Sequence, residues 1–265
     1  DKVKAYLNTP IGHTDHSLNT YFTRVMPSRG VQIVAEAVVW YTSQLTELKG
    51  NKLPILGFNS AVKVGRDGAH DFTDIPAGPL TITDSINLYK HANTLLVIKI
   101  TGKELKEWLE WAASSFNDYS ADEILQPNHS RDGFPGYNFD TFFDLDYTFD
   151  LTKPARYESS AHQISDSERV VKLSYQGKEI EAADEFIVPA NNYKVAYVPF
   201  LRNQEVIYES VLSVRDIVTE YIKSGETFVY HNPMTIIPSD VYRFTSATAG
   251  VKRIEDLPVE HIESH

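Results

Sequence analysis

The sequence predicts an α+β fold, a single domain of mixed sheet and packed helices over residues 31–265, led in by a linker or extended arm over 1–30. Three observations carry this. Apolar residues recur at spacings of three and four in three separate windows; short β-branched or alternating runs bounded by Gly and Pro lie between them; and beyond residue 30 no repeat, low-complexity tract or composition shift divides the chain.

The elements follow in order. Residues 1–30 mix Pro10, Gly12, Pro27 and Gly30 with polar residues and hold no sustained period, hence the arm. Val31, Val34, Val38, Tyr41, Leu45 and Leu48 form a helical stripe that Gly50 closes. Leu53–Phe58 reads as a short buried strand, and 59–79, with Gly65, Gly68, Gly78, Lys63, Arg66 and His70, as a Gly-rich loop carrying positive charge. Thr94–Thr101 alternates as a strand and runs into Thr101-Gly-Lys-Glu104, whose Thr and Glu can satisfy the free N–H groups of a helix start. Leu105, Trp108, Leu109, Ala112 and Phe116 supply that helix's stripe. Residues 118–136 read as a long polar loop, and loops of that length in compact domains are often functional. Tyr137, Phe139, Phe143, Tyr147 and Phe149 then fall on odd positions, as a strand pair would place them. Arg169–Tyr175, Gln176-Gly177 and Lys178–Ile180 form a predicted hairpin; Glu185–Pro189 and Tyr193–Phe200 are further expected strands. A last helix starts at Ser213 with Asp216 three residues on, buries Val214, Ile217, Val218, Tyr221 and Ile222, and stops at Gly225.

Composition narrows the function classes. The chain has 265 residues, 36 Asp+Glu against 25 Lys+Arg, a net charge of −11 and 42% hydrophobic residues, which suits a globular protein. Its longest apolar runs are like Leu95-Leu96-Val97-Ile98, far too short for a membrane span. The negative charge repels a nucleic-acid polymer, while a few local cations could still hold one small nucleotide. With no Cys, disulfides, thiolate metal sites and Cys nucleophiles drop out together, as fits an exported bacterial protein. No signal-peptide pattern opens the chain, and Asp1 begins as a mature protein or excised domain would.

Residue constellations for catalysis are sparse. His13 and His16 flank Asp15, but Pro10 and Gly12 argue against the helix that would align them, so they read as polar linker. His261 and His265 belong to the terminal tail, Asp144, Asp146 and Asp150 lack the Gly of a calcium loop, and no G-x-S-x-G, P-loop or G-x-G-x-x-G occurs. The residues taken alone suggest binding rather than reaction. Aromatics beside amides and cations can stack on a nucleobase and fix its polar edges. Suitable groups are Tyr137-Asn138, Asn191-Asn192-Tyr193 and the Lys63/Arg66 loop.

At these residues the chain resembles a known family. Asp74-Ile-Pro-Ala-Gly78, Leu88-Tyr-Lys-His-Ala-Asn-Thr94, Val97-x-Lys99-x-Thr101-Gly102, Trp108-Leu109-Glu110, Gly136-Tyr-Asn-Phe-Asp140 and Ala190-Asn-Asn-Tyr193 look like the C-terminal domain of the 5′-nucleotidase family. They are similar in particular to its bifunctional 2′,3′-cyclic-nucleotide 2′-phosphodiesterase/3′-nucleotidase branch. The resemblance implies a two-domain exported enzyme, secreted, periplasmic or attached to a bacterial cell wall, with a role in extracellular nucleotide catabolism. Divalent metal ions would sit in an N-terminal metallophosphoesterase domain of the same polypeptide, and this domain would hold the nucleoside or nucleotide between two aromatic rings. No D-x-H, N-H-[DE] or G-H-x-H string occurs here, so the chain alone is expected to bind without turnover and to need no cofactor of its own.

Carried over by position, the resemblance makes Tyr137 a base-stacking ring and puts His91, two residues before Asn93, at the place of the second ring. Asn93 matches the family's Asn, and Lys63 and Arg66 match its basic loop. Asn138 and Asn192 accompany the aromatic motifs, and Phe200 stands where the family usually continues with a Gly-rich stretch, so that its ring is expected at the pocket floor. A binding or interaction module that keeps the fold without nucleotide use is the alternative.

Overall fold

The computed structural model describes residues 2–118, 133–238 and 246–256. Its N-terminal part runs α1 (Lys2–Leu7), β1 (Pro10–Thr14), β2 (Leu18–Asn19), α2 (Arg29–Ser43), β3 (Phe58–Asn59), β4 (Asp74–Ile75), β5 (Gly78–Thr81), α3 (Ile82–Leu88), β6 (Thr94–Thr101) and α4 (Gly102–Ala113). The rest runs β7 (Thr141–Phe142), β8 (Leu145–Asp150), β9 (Val170–Tyr175), β10 (Lys178–Glu179), β11 (Glu185–Asn191), α5 (Asn192–Tyr197), β12 (Glu205–Ser213), α6 (Val214–Ser224) and β13 (Met234–Ile237). This is the α+β architecture expected.

The centre is a three-stranded antiparallel sheet in the order β11-β6-β12. Both of its faces are covered, and strand alternation decides which residue goes where. Ile98 and Ile100 of β6, with Phe186, Val188 and Ala190 of β11, face a core built on Trp108, Leu109 and Ala112 of α4 and Tyr147 and Phe149 of β8. Leu95 and Val97, with Ile187, face the opposite core of Val34 and Val38 from α2, Leu88 from α3 and Ile217 and Val218 from α6. A second sheet, β10-β9-β8-β13, is antiparallel except where β13 pairs parallel with β8.

Local signals place the helix starts. Thr81, Thr101 and Ser213 each form a capping box with Asp84, Glu104 and Asp216. At Thr101 the backbone N–H donates to Glu104 Oε2 at 2.7 Å, and the Thr101 hydroxyl accepts from the Glu104 N–H at 3.3 Å. Thr101→Ala is expected to cost about 0.5–2 kcal/mol, the usual loss for such a cap, read as a lower urea midpoint at unchanged slope. Gly225 ends α6 at φ +77°, a left-handed position that other residues resist, and Gln176-Gly177, at φ +49° and +79°, make the hairpin turn between β9 and β10.

Several expectations need correction. The predicted strand Tyr193–Phe200 is instead α5 followed by a short turn, Pro199–Leu201, because the Asn191 side chain accepts from the Lys194 N–H at 2.7 Å and caps a helix start. The helix from residue 31 starts at Arg29 and stops at Ser43; Leu45 and Leu48 belong to a separate tight turn, Thr46–Leu48 completing it. In 53–58 only Phe58 lies in a strand, while Ile55 makes an isolated bridge to Ile187. The loop over 59–79 contains β4 and most of its end joins β5. Within 1–30, β1 pairs with β5, β2 pairs with β4, and Leu18 is buried, so this stretch packs onto the domain body. Strands β12 and β13 were not legible from pattern, and the tail pair His261/His265 and most of the 118–136 loop lie outside the described residues.

Candidate functional site

One cleft of about 430 Å³ opens where four segments meet: the loop after β3, the end of α3, the turn Gly136–Asn138 and the start of α5. Sequence dictates each approach. Gly136 lets its turn lie against the loop after β3, since a Cβ there would stand 2.1 Å from Val64 Cγ2. The Ser60 hydroxyl of the same loop then donates to the Tyr137 carbonyl at 2.7 Å, tying the turn to it. The N-cap at Asn191 turns the chain so that Tyr193 and Lys194 both reach the cleft.

Five of the eight predicted site residues line it: Tyr137, His91, Asn93, Asn138 and Arg66. Tyr137 is half-buried, with the Arg66 guanidinium 5.3 Å from its ring centroid, within cation–π range. His91 stands exposed at the lip, its ring edge-on to that of Tyr89 at 6.3 Å. Burial, and then the neighbouring Lys90, hold its imidazole below the ordinary value of 6.5. Asn93 Nδ2 donates to the Tyr89 hydroxyl at 3.3 Å. Asn138 is buried, and its Nδ2 has no hydrogen-bond partner, leaving a donor at the cleft wall.

The other three are elsewhere. Lys63 donates through Nζ to Asn87 Oδ1 at 3.0 Å and does not line the cleft. Asn192 is exposed beside the cleft-lining Asn191 and Tyr193. Phe200 packs among Trp108, Trp111 and Tyr157 at centroid distances of 6.5, 6.2 and 6.4 Å, so it is a core ring and not a pocket floor. Helix formation by 192–197 is the physical reason: it turns the chain before Phe200 can point back at the cleft.

Three further residues contribute: Tyr89 and Lys194, which the sequence does not single out, and Tyr193, which it offers only as part of the Asn191-Asn192-Tyr193 motif. Tyr89 is buried, and burial pushes its hydroxyl up to about 12, so it stays protonated. Tyr193 is 52% exposed and lies flat against Tyr197, centroids 5.7 Å apart and planes 8° from parallel. Burial raises its hydroxyl too, followed by the influence of Tyr137 and Tyr197, and Tyr137 and Tyr193 line the same cleft. Lys194 is buried and ion-paired to Asp140 at 2.9 Å. The signals were present in Asn191-Asn192-Tyr193, but a strand reading of 193–200 would have scattered them to alternate faces.

Acidic groups also line the cleft. Asp67 and Asp71 sit on a tight loop closed by Gly65 N–H donating to the Asp71 carbonyl at 2.7 Å. Arg66 and Lys90 offset them, so the cleft is of mixed charge. Planar rings, amides and both signs of charge suit a flat heteroaromatic ligand with polar edges. Among the described residues no group of three or more His, Asp or Glu is arranged to hold a metal ion, and no helix is long and apolar enough to cross a membrane.

Comparison with known proteins gives the same picture. The family model described as 5′-nucleotidase, C-terminal domain, matches residues 10–197. The trifunctional nucleotide phosphoesterase protein YfkN of Bacillus subtilis is 35% identical over 228 residues, covering 84% of this chain and 16% of that protein. A 2′,3′-cyclic-nucleotide 2′-phosphodiesterase/3′-nucleotidase of Haemophilus influenzae is 34% identical over 236 residues, covering 84% of this chain and 35% of that protein. The chain thus spans a third or less of some of these relatives and little more of others. In fold, a 5′-nucleotidase precursor of Thermus thermophilus superposes with a TM-score of 0.64 at 18% identity, over 90% of this chain and 41% of that one.

Proposed function

Because the chain belongs to the 5′-nucleotidase C-terminal domain family, we propose that its cleft is the substrate-binding site of a 2′,3′-cyclic-nucleotide 2′-phosphodiesterase/3′-nucleotidase. The observation that carries the reading is the gathering of Tyr137, His91 and Tyr193, three planar rings from three separate segments, around one cleft edged by Asn93 and Asn138. In this reading a nucleobase stacks on the rings and the amides meet its polar edge, while Arg66 supplies positive charge near the phosphate. The divalent ions that would activate water and stabilise the phosphoryl oxygens belong to an N-terminal metallophosphoesterase domain of the longer polypeptide, and the whole enzyme would be exported for extracellular nucleotide catabolism.

Titrating AMP into the purified chain and assaying hydrolysis of a 2′,3′-cyclic nucleotide tests both halves. Saturable binding without turnover is expected. Chelator-sensitive hydrolysis by this chain would refute the division of labour, and absence of AMP binding would refute the site. The second reading, a module that keeps the fold without handling nucleotides, is favoured by the Arg66 guanidinium already covering Tyr137, and it predicts the latter outcome.

His91 gives the site a pH signature. Its imidazole is held below its ordinary value of 6.5 by burial and by Lys90, so it is neutral at pH 7 and gains charge only on the acid side. AMP affinity should therefore be level from about pH 7 upward and change only below the ordinary imidazole range. His91→Tyr should bind AMP more tightly and lose the acid-side change. An unchanged affinity and pH profile in His91→Tyr would remove His91 from the stacking wall.

A further inference from the structure

In the wall of the cleft lies a polar group that none of the stacking roles uses. Lys194, 4% exposed, is the third residue of α5 and follows Tyr193 directly. Its Nζ donates to the Tyr137 carbonyl at 3.2 Å and pairs with Asp140 Oδ2 at 2.9 Å. The same carboxylate oxygen accepts from Trp108 Nε1 at 2.9 Å, and the Lys194 ammonium lies 5.5 Å from the Trp111 ring centroid. One side chain from the Tyr193 helix thus grips both ends of the segment 137–140, and that grip is anchored on two tryptophans of α4.

Cost and position together say what this is for. A buried ion pair is weak evidence for stability, because an apolar pair of similar volume often serves as well or better, whereas hydrogen-bonded charges hold the groups they join in one geometry. Here the joined groups are the backbones that carry Tyr137 and Tyr193, two separate segments that line one cleft. The Tyr137 carbonyl does not need Lys194 for satisfaction, since Ser60 already donates to it at 2.7 Å. What Lys194 adds is a link between the two segments.

We propose that Lys194 is a positioning residue that sets the spacing of the Tyr137 and Tyr193 rings, acting through the Tyr137 carbonyl and Asp140. The proposal rests on the nucleotide-site reading above for its functional meaning, but the mechanical link is independent of it.

The test removes the pair as a unit. Lys194→Met keeps the stem that packs near Trp111, and Asp140→Asn made with it keeps an acceptor for Trp108, so no lone buried charge remains. In the ligand-free chain, amide hydrogen exchange should rise together over 136–140 and 192–197, with α6 unchanged; a rise in one segment alone, or a uniform rise throughout, overturns the proposal. With AMP, the Kd should rise about tenfold in this double variant, and by less than about threefold when Tyr137→Ala is already present, since coupled residues are not additive. Equal fold-changes in the two backgrounds would also overturn it. If the unmodified chain binds no AMP, the nucleotide reading fails while the exchange result still decides whether Lys194 couples the two segments.

Discussion

Arg169→Met should destabilise the domain by about 3–5 kcal/mol, the range seen when a buried charged network loses one partner. Arg169 is fully buried, and its guanidinium donates from Nε to the Lys153 carbonyl at 2.8 Å and from Nη1 to the carbonyls of Ala113 and Phe116 at 2.9 and 2.8 Å. Ala113 is the last residue of α4, so the cation meets a helix C-terminus whose carbonyls have no partners within the helix. Burial lowers the guanidinium below its ordinary value, but it remains a cation at any working pH, held by these acceptors and by Asp118 at 2.5 Å. The backbone N–H groups of Arg169 and Val170 meanwhile donate to the two Glu110 oxygens, both at 2.9 Å. Methionine fills much of the volume and satisfies none of the three carbonyls, each costing about 1–3 kcal/mol when stranded. Urea unfolding measures the loss; a change under about 1 kcal/mol would mean that water replaces the guanidinium at those acceptors.

Tyr193→Ala should weaken AMP binding by about 1–3 kcal/mol, roughly 5- to 150-fold in Kd, which is the range for removing one stacking ring. The measurement is clean because Tyr193 is 52% exposed and its removal takes little from the core. Tyr197 lies stacked behind it, so Tyr197→Ala is the natural control and should have a smaller effect, by loosening Tyr193 rather than by removing contact area. Tyr137→Ala is expected to fall in the same range, with one difference: it also releases the Arg66 guanidinium, so its effect should depend more on salt. Wild-type affinity in folded Tyr193→Ala would leave that ring a surface residue and shift the stacking role to His91 and Tyr137.

The parts of this molecule that were legible in sequence are those decided by local chemistry. The strand Thr94–Thr101, the capping boxes at Thr101 and Ser213, the Gln176-Gly177 turn and the stop at Gly225 all follow from residues within a few positions of one another. Pattern fails where a side-chain cap competes with a strand-like run, and where a neighbour distant in sequence decides. Tyr193–Phe200 is apolar and aromatic enough for a strand, yet one side-chain hydrogen bond from Asn191 commits it to a helix, and with it go the placements of Tyr193, Lys194 and Phe200. The cleft followed the same division. Tyr137, His91, Asn93, Asn138 and Arg66 sit in short recognisable segments, whereas Lys63 was drawn away by Asn87, a partner on α3 that spacing could not reveal. Gly136 was visible as part of a motif, but its reason, the approach of Val64, belongs to the tertiary structure.

The parallel pairing of β13 with β8 bears on how the chain folds. Met234 aligns with Tyr147 and Ile237 with Asp150, so the β9–β10 hairpin, β11, α5, β12 and α6 all lie in sequence between the two paired strands. Contacts of such long sequence separation are entropically late, and a domain that depends on them folds slowly for its size. Until β13 arrives, β8 is an open edge in which Tyr147 and Phe149 alternate with Asp146, Thr148 and Asp150, and an unpaired edge of that kind is a template for pairing with another molecule. The last strand to dock is therefore also what closes the window for self-association during synthesis and refolding.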